Sequence, residues 1–154
     1  MARIDDELTA FVEEGQSIHV STRDAEGRPV GVRGVAVTVA GDREHVDVYI
    51  ADVAFARLRE PLETSRQMAI VFGRPRDDRS CQLKGTLVSV RAAESAERSV
   101  ALAQWEGLMA ALDGIGISRR LAERWTWWPA RVARVRVTAI FEQTPGPNAG
   151  AQLA

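Results

Sequence analysis

Residues 67–92 read QMAIVFGRPRDDRSCQLKGTLVSVRA. Two runs rich in apolar and β-branched residues, 67–73 and 80–92, flank a connection of proline, arginine and aspartate, and this reads as two strands joined by a turn. Strand residues alternate between faces, so Cys81 and Leu83 share one apolar side while Ser80, Gln82, Lys84 and Thr86 share the other. Lys84 is the only lysine in the chain; the other nineteen basic residues are arginine. A row of hydroxyl, amide and ammonium groups, with Arg74, Arg76 and Arg79 just before it, suits an anionic ligand such as a phosphate. The same pattern describes a solvated sheet face on which Lys84 and Arg79 pair with Asp77 or Asp78.

Outward from this pair, QSIHVSTRDAEGRPVGVRGVAVTVAGDREHVDVYIA alternates apolar and polar residues in three runs broken at AEG and AGDRE. The pattern predicts an antiparallel meander with strands near 16–23, 29–39 and 45–51. Before it, Leu8, Phe11 and Val12 fall on one helical face, and Gly15 ends a helix expected over 4–14. VAFARLREPLETSRQ predicts a short crossover helix through Phe55, Leu58 and Leu62, limited or kinked by Pro61. A long helix is expected from Glu94 to about Leu112, with Val100, Ala103, Leu108 and Leu112 facing inward and DGIG ending it. SRRLAERW gives a second short helix, and ARVARVRVTAIFEQ a last long strand with apolar residues at 132, 135 and 137. The tail TPGPNAGAQLA, from about 145 on, is too rich in glycine and proline for regular structure. Six consecutively paired antiparallel strands with peripheral helices indicate a small α+β barrel. Its interior is filled by side chains, so a sizeable ligand must sit outside, in a groove or at a subunit contact.

The 154 residues fit a single domain with a formal net charge of -1, and no basic stripe marks a nucleic-acid partner. No apolar stretch approaches the roughly 20 residues of a membrane span, and the acidic, amphipathic N-terminus is unlike a signal peptide. A soluble, cytoplasmic protein is expected, and the single cysteine fits a reducing compartment. His19 and His45 with one cysteine give no metal-ligand spacing. No GxSxG elbow supports a nucleophile, and a strand-borne, buried Cys81 is expected to be inert. GIGIS lacks the third glycine of a dinucleotide loop and reads as a helix stop. The WTWWP tryptophans are read as core or interface anchors, most economically at a dimer contact.

The meander, the VYIAD strand leading to a short helix, the pair QMAIVFGRPRDDRSCQLKG, the long helix and the closing VRVTAIFEQTPGPNAG resemble the pyridoxamine 5'-phosphate oxidase-like proteins, which are FMN-binding split β-barrels. The resemblance spans roughly residues 4–150. It implies a homodimer packed barrel to barrel, with FMN at the interface and a small-molecule substrate. It also implies that Val32, Arg33, Gly34 and Val35 line the flavin ring, joined by Tyr49 and Ile50. RSCQLKG is similar to the family's phosphate-side strand, with Ser80 where a glutamine commonly sits; Gln82, Arg79 and Lys84 are further candidates. IFEQTPG would bring Phe141 and Gln143 from the partner subunit. Where many active members carry an adjacent basic pair, this chain reads VAFARLR, with only Arg57 close by. The R-x-H-like substrate element has no counterpart in FEQTPGPNAG.

The resulting expectation is an FMN-dependent oxidoreductase in which the flavin supplies the redox chemistry. The alternative is a non-catalytic split-barrel protein that binds another anionic planar ligand, haem or a deazaflavin. A purely structural dimeric partner is the third reading.

Overall fold

The alternating runs pair antiparallel throughout, and their order around the sheet explains how so short a chain encloses a core. The structure, a computed structural model, describes residues 2–154. Its strands are β1 (Ser17–Arg23), β2 (Pro29–Gly34), β3 (Ala36–Val39), β4 (His45–Ala51), β5 (Gln67–Gly73), β6 (Ser80–Ala92) and β7 (Ala130–Glu142). They form one sheet in the order β2-β1-β5-β6-β7-β4-β3. The two ends of that order are consecutive in the chain. The stretch expected as one strand, 29–39, is divided at Val35: its first half pairs with β1 and its second with β4. The six expected strands are therefore present, and the division makes them seven.

Steric crowding marks the division. A Cβ on Gly34 would lie 2.6 Å from Ile18 Cγ2, so β2 can lie this close to β1 only as glycine. Beyond it the chain leaves β1, and Val35 N–H donates to the Tyr49 carbonyl at 2.8 Å. The edge of β3 that no strand covers is satisfied by side chains. Gln104 Oε1 accepts from Val37 N–H at 3.0 Å while Gln104 Nε2 donates to the Val37 carbonyl at 2.7 Å. Glu13 Oε1 accepts from Val39 N–H at 2.7 Å. Buried main-chain groups require such partners, and here two helices supply them.

Inside the barrel, Ile18, Val20, Val46, Val48, Ile50, Ile70, Phe72, Leu83, Val135 and Val137 are essentially inaccessible. The helix α1 (Asp6–Glu13) closes one end with Phe11 and Val12, its first turn capped by Asp5, whose carboxylate accepts from Leu8 N–H at 2.8 Å. The expected crossover helix is two short ones, α2 (Asp52–Phe55) and α3 (Arg59–Ser65), closing the other end with Phe55, Leu58 and Leu62. Pro61 sits in the first turn of α3, where its missing N–H costs nothing.

A second core lies outside the barrel wall. A 3-10 turn (Ser95–Glu97) leads into α4 (Arg98–Gly114), which packs Ala101, Trp105, Leu108, Met109 and Leu112 over Val35, Ala36, Tyr49, Ala51 and Val132. The inward face is thus 101/104/105/108/109/112. Val100, 43% exposed, and Ala103 point away, because the helix is rotated so that Gln104 meets the β3 edge. After α5 (Arg119–Ala122), Trp125, Trp127 and Trp128, each partly buried, pack on this same second core. The tail has no regular element, yet it turns back along β7: Glu142 N–H donates to the Ala151 carbonyl and Leu153 N–H to that of Ile140.

Candidate functional site

Strand register decides which polar residues share a surface, since partners across an antiparallel pair point the same way. His19 pairs with both Arg33 and Val71, Val71 with Gln82, and Gln82 with Phe141. This gives an outward row Arg33–His19–Val71–Gln82–Phe141. One step along, Gly31, Ser21, Ala69, Lys84 and Ala139 form a parallel row. Helix α4 covers β3, β4 and the start of β7, while the outer side of β1, β5 and β6 is left without a helix over it. The alternation expected for β6 is present: Cys81 and Leu83 are buried, Lys84 is exposed, and Ser80, Gln82 and Thr86 are half-buried.

Neither pairing expected of a merely solvated face occurs. Arg74 takes Asp77, with two hydrogen bonds at 2.9 and 2.7 Å. Arg79 donates to Glu7 at 2.7 Å and lies over the Phe11 ring, which spends it on docking α1. Lys84 is left without a carboxylate among the described residues, its ammonium 4.7 Å above the Phe141 ring. Arg33 is half-buried with no carboxylate either: it donates to Ser17 Oγ at 3.2 Å and stacks 3.9 Å from the centre of the Trp125 ring. Burial, and secondly the Arg33 charge, lower the His19 pKa, so that ring is neutral at pH 7. The Ser80 hydroxyl donates to the Asp78 carbonyl within the β5–β6 turn. Burial pushes the Cys81 thiol up to about 12, which leaves no thiolate near neutrality.

The other sequence candidates lie elsewhere. Val32 and Ile50 point into the barrel, Gly34 is wedged on Ile18, and Val35 and Tyr49 lie beneath α4. Arg57 lines a cleft of about 550 Å³ with Asp24, Arg28 and Glu60 at the α2–α3 end. Gln143 follows β7, where its N–H donates to the Ser80 carbonyl at 3.0 Å. Arg33, Gln82, Lys84 and Phe141 are therefore the candidates whose side chains share the outward wall. Trp125 over Arg33 was not legible in the sequence, because the contact joins residues ninety-two positions apart.

Tyr49 belongs to a network that holds α4 on the sheet. Its hydroxyl donates to Glu97 Oε1 at 3.0 Å, and Arg91 grips Glu97 through two bonds at 2.8 and 2.7 Å. Burial raises Tyr49 to about 12, and the Arg91 hydrogen bond lowers Glu97 to about 2. Glu97 then contributes stability above its unfolded pKa near 4.5 that is lost as pH falls toward 2; Tyr49 contributes stability below pH 10 that is lost as pH rises toward 12. With Arg91 partly solvated, the acid limb is worth about 1–2 kcal/mol. Urea midpoints followed against pH are expected to fall at both ends, with Glu97→Gln flattening the acid limb and Tyr49→Phe the alkaline one. Unchanged slopes in both variants would dissolve the network.

No known family's sequence profile matches the chain, and no curated protein sequence does either. Solved structures do. HupZ of Group A Streptococcus is 19% identical, covering 96% of this chain and 99% of its own, with a TM-score of 0.56. A Clostridium acetobutylicum protein related to general stress protein 26 of B. subtilis, of the pyridoxinephosphate oxidase family, is 13% identical over 96% and 92%, with a TM-score of 0.57. An FMN-binding protein from Syntrophomonas wolfei is 12% identical over 86% and 81%, with a TM-score of 0.51. The fold is a split β-barrel, a mixed class of curled antiparallel sheet with helices outside it. Solved structures of this same fold include a putative pyridoxamine 5'-phosphate oxidase from Lactobacillus delbrueckii, 13% identical with a TM-score of 0.53. Among the described residues no helix is long and apolar enough to cross a membrane, and no cluster of ligating side chains could hold a metal ion.

Proposed function

We propose that the chain is an FMN-binding flavoprotein oxidoreductase acting on a small substrate, with two copies packed through the bare outer wall of β1, β5 and β6 and the flavin held beside it. The observation that carries this reading is that wall itself. Two cations without carboxylate partners, Arg33 and Lys84, stand with Gln82 and Phe141 on neighbouring strands beside the small residues Gly31, Ser21, Ala69 and Ala139. The donor set suits the group: a guanidinium or ammonium for a phosphate, an amide for a ring edge, and an apolar shelf for a planar body. FMN, when bound, would supply the electron or hydride transfer. Lys84 would hold the anion as a compact charge, Gln82 would orient a polar edge, and Phe141 would exclude water from the Lys84 side. Trp125 would hold the Arg33 guanidinium in place by stacking on it. The FMN-binding protein of the same fold supports the choice of flavin.

A second reading, a non-catalytic binder of another anionic planar ligand such as haem or a deazaflavin, is favoured by the lack of an adjacent basic pair after β4: Leu58 separates Arg57 from Arg59, and Arg57 faces a separate cleft. One experiment separates the two. Purified protein is incubated with excess FMN, desalted, and read by absorbance and light scattering. One retained FMN per subunit of a dimer is expected, with affinity weakened at least about tenfold in Lys84→Ala, the size of a lost charge-assisted contact. Full affinity in Lys84→Ala removes that residue's role. A protein that stays colourless with FMN but gains a Soret or deazaflavin band selects the second reading.

A further inference from the structure

The sheet also leaves an edge open at the other end of the molecule. Strand β5 pairs with β6 only as far as Gln67 against Thr86, whereas β6 runs on to Ala92 with β7 alone beside it. A register shift between Leu87 and Ser89 bulges Val88 out of the ladder. Alongside this one-sided stretch, α2 and α3 form the opposite wall of a cleft of about 550 Å³. Its floor is apolar, from Phe55, Leu62 and Leu87, and Val88 and Val90 are 47% and 38% exposed at its lip. Isolated exposed valines are unremarkable, but two beside a concave apolar floor leave dry surface for an occupant.

The polar lining is dominated by one charge. Arg59, Arg66 and Arg131 line the cleft against the single carboxylate Glu63, with Ser89 as a hydroxyl. Arg66 takes a left-handed backbone, φ 52, a conformation rare for a long side chain. Its guanidinium is fixed by the Leu87 carbonyl, at 3.1 Å from Nε and 2.6 Å from Nη2, and by that of Val88 at 3.0 Å. Those bonds occupy Nε and Nη2 and leave Nη1 without a partner among the described residues. Arg131 donates through Nε to Asp52 Oδ1 at 3.1 Å, leaving both its Nη groups unengaged. Arg59 and Ser89 have no side-chain partner among the described residues. Guanidinium groups with unused donors above an apolar floor match an anion that carries an apolar body.

We infer that this cleft between α2–α3 and the open edge of β6 is a binding site for a small organic anion, a carboxylate, sulfonate or phosphate head on a planar or branched apolar body. The anion meets Arg59 and Arg131 and is oriented by the fixed Arg66; the body lies on Phe55, Leu62 and Leu87. The site is distinct from the outer wall carrying Lys84 and does not depend on flavin binding there. Arg59 and Arg66 stand at the two ends of α3, and Arg131, sixty-five positions further on, joins them because the start of β7 meets α3 at this end of the barrel.

The test uses 8-anilinonaphthalene-1-sulfonate, an aryl sulfonate, beside its uncharged relative N-phenyl-1-naphthylamine, each titrated into the full-length protein by fluorescence. Saturable binding of the sulfonate is expected, with the uncharged probe at least about tenfold weaker. Arg59→Glu, at an exposed side chain without a partner among the described residues, is expected to weaken the sulfonate about tenfold or more with an unchanged unfolding midpoint, while Arg59→Lys retains most of the affinity. Lys84→Ala is expected to leave the titration unaltered. Equal affinity for the two probes, or an Arg59→Glu protein that binds as tightly as the parent, would overturn the site; loss in Lys84→Ala would overturn its separateness from the outer wall.

Discussion

Gly85→Ala is expected to lower stability by about 3 kcal/mol or more, a large share of the roughly 5–15 kcal/mol that holds a domain of this kind together. An added Cβ would stand 2.2 Å from the Arg136 carbonyl oxygen, 2.9 Å from the carbon of that carbonyl and 2.8 Å from Val135 Cγ1. Two of those three atoms are main chain of the neighbouring strand and cannot swing aside. The register shift between Lys84 and Gly85 lies at the same place, with Lys84 opposite Ala139 and Gly85 opposite Val137. The extra residue is Thr138, so β7 is the strand that the bulge bends, and it does so directly opposite Gly85. Urea denaturation should show a lower midpoint at an unchanged slope. A midpoint within error of the parent would mean that β7 can move away, and the bulge would lose its steric explanation.

Gln104→Leu is the second large effect, expected to cost about 3 kcal/mol although it adds apolar volume to a helix already facing a core. The amide side chain is 6% exposed and is bonded to both main-chain groups of Val37. Leucine would leave one buried N–H and one buried carbonyl without partners, each at roughly 1–3 kcal/mol. Hydrogen exchange gives a sharper reading than global stability: the Val37 amide should lose protection far more than amides in β6 or β7. Unchanged protection at Val37 would show that water or a relaxed backbone satisfies this edge. The surrounding contact is tight, since a Cβ on Gly15 would lie 2.5 Å from the Gln104 carbonyl oxygen and one on Gly107 would lie 3.0 Å from that of Glu14. The helix is therefore held where the glutamine can reach β3.

Much of this architecture follows from local chain geometry. Alternation of period two identified each strand and the outward set Ser80, Gln82, Lys84 and Thr86, because successive strand residues must point to opposite faces whatever surrounds them. Glycines and turn residues marked the hairpins for a similarly local reason. Where the answer depended on what lay across the fold, sequence alone was insufficient. It could not say that the run 29–39 divides at Val35, because the cause is Ile18 on another strand. Nor could it orient α4: Val100 and Ala103 are as apolar as Ala101, and the polar Gln104 is the residue that the open edge of β3 draws inward. The candidate site divided along the same line. The Lys84 face was legible, whereas Arg33 beneath Trp125, Tyr49 bound to Glu97, Arg79 bound to Glu7, and the convergence of Arg59, Arg66 and Arg131 were not. Periodicity determines a side chain's direction relative to its own backbone; only the folded chain, with its long-range contacts, decides what that direction meets.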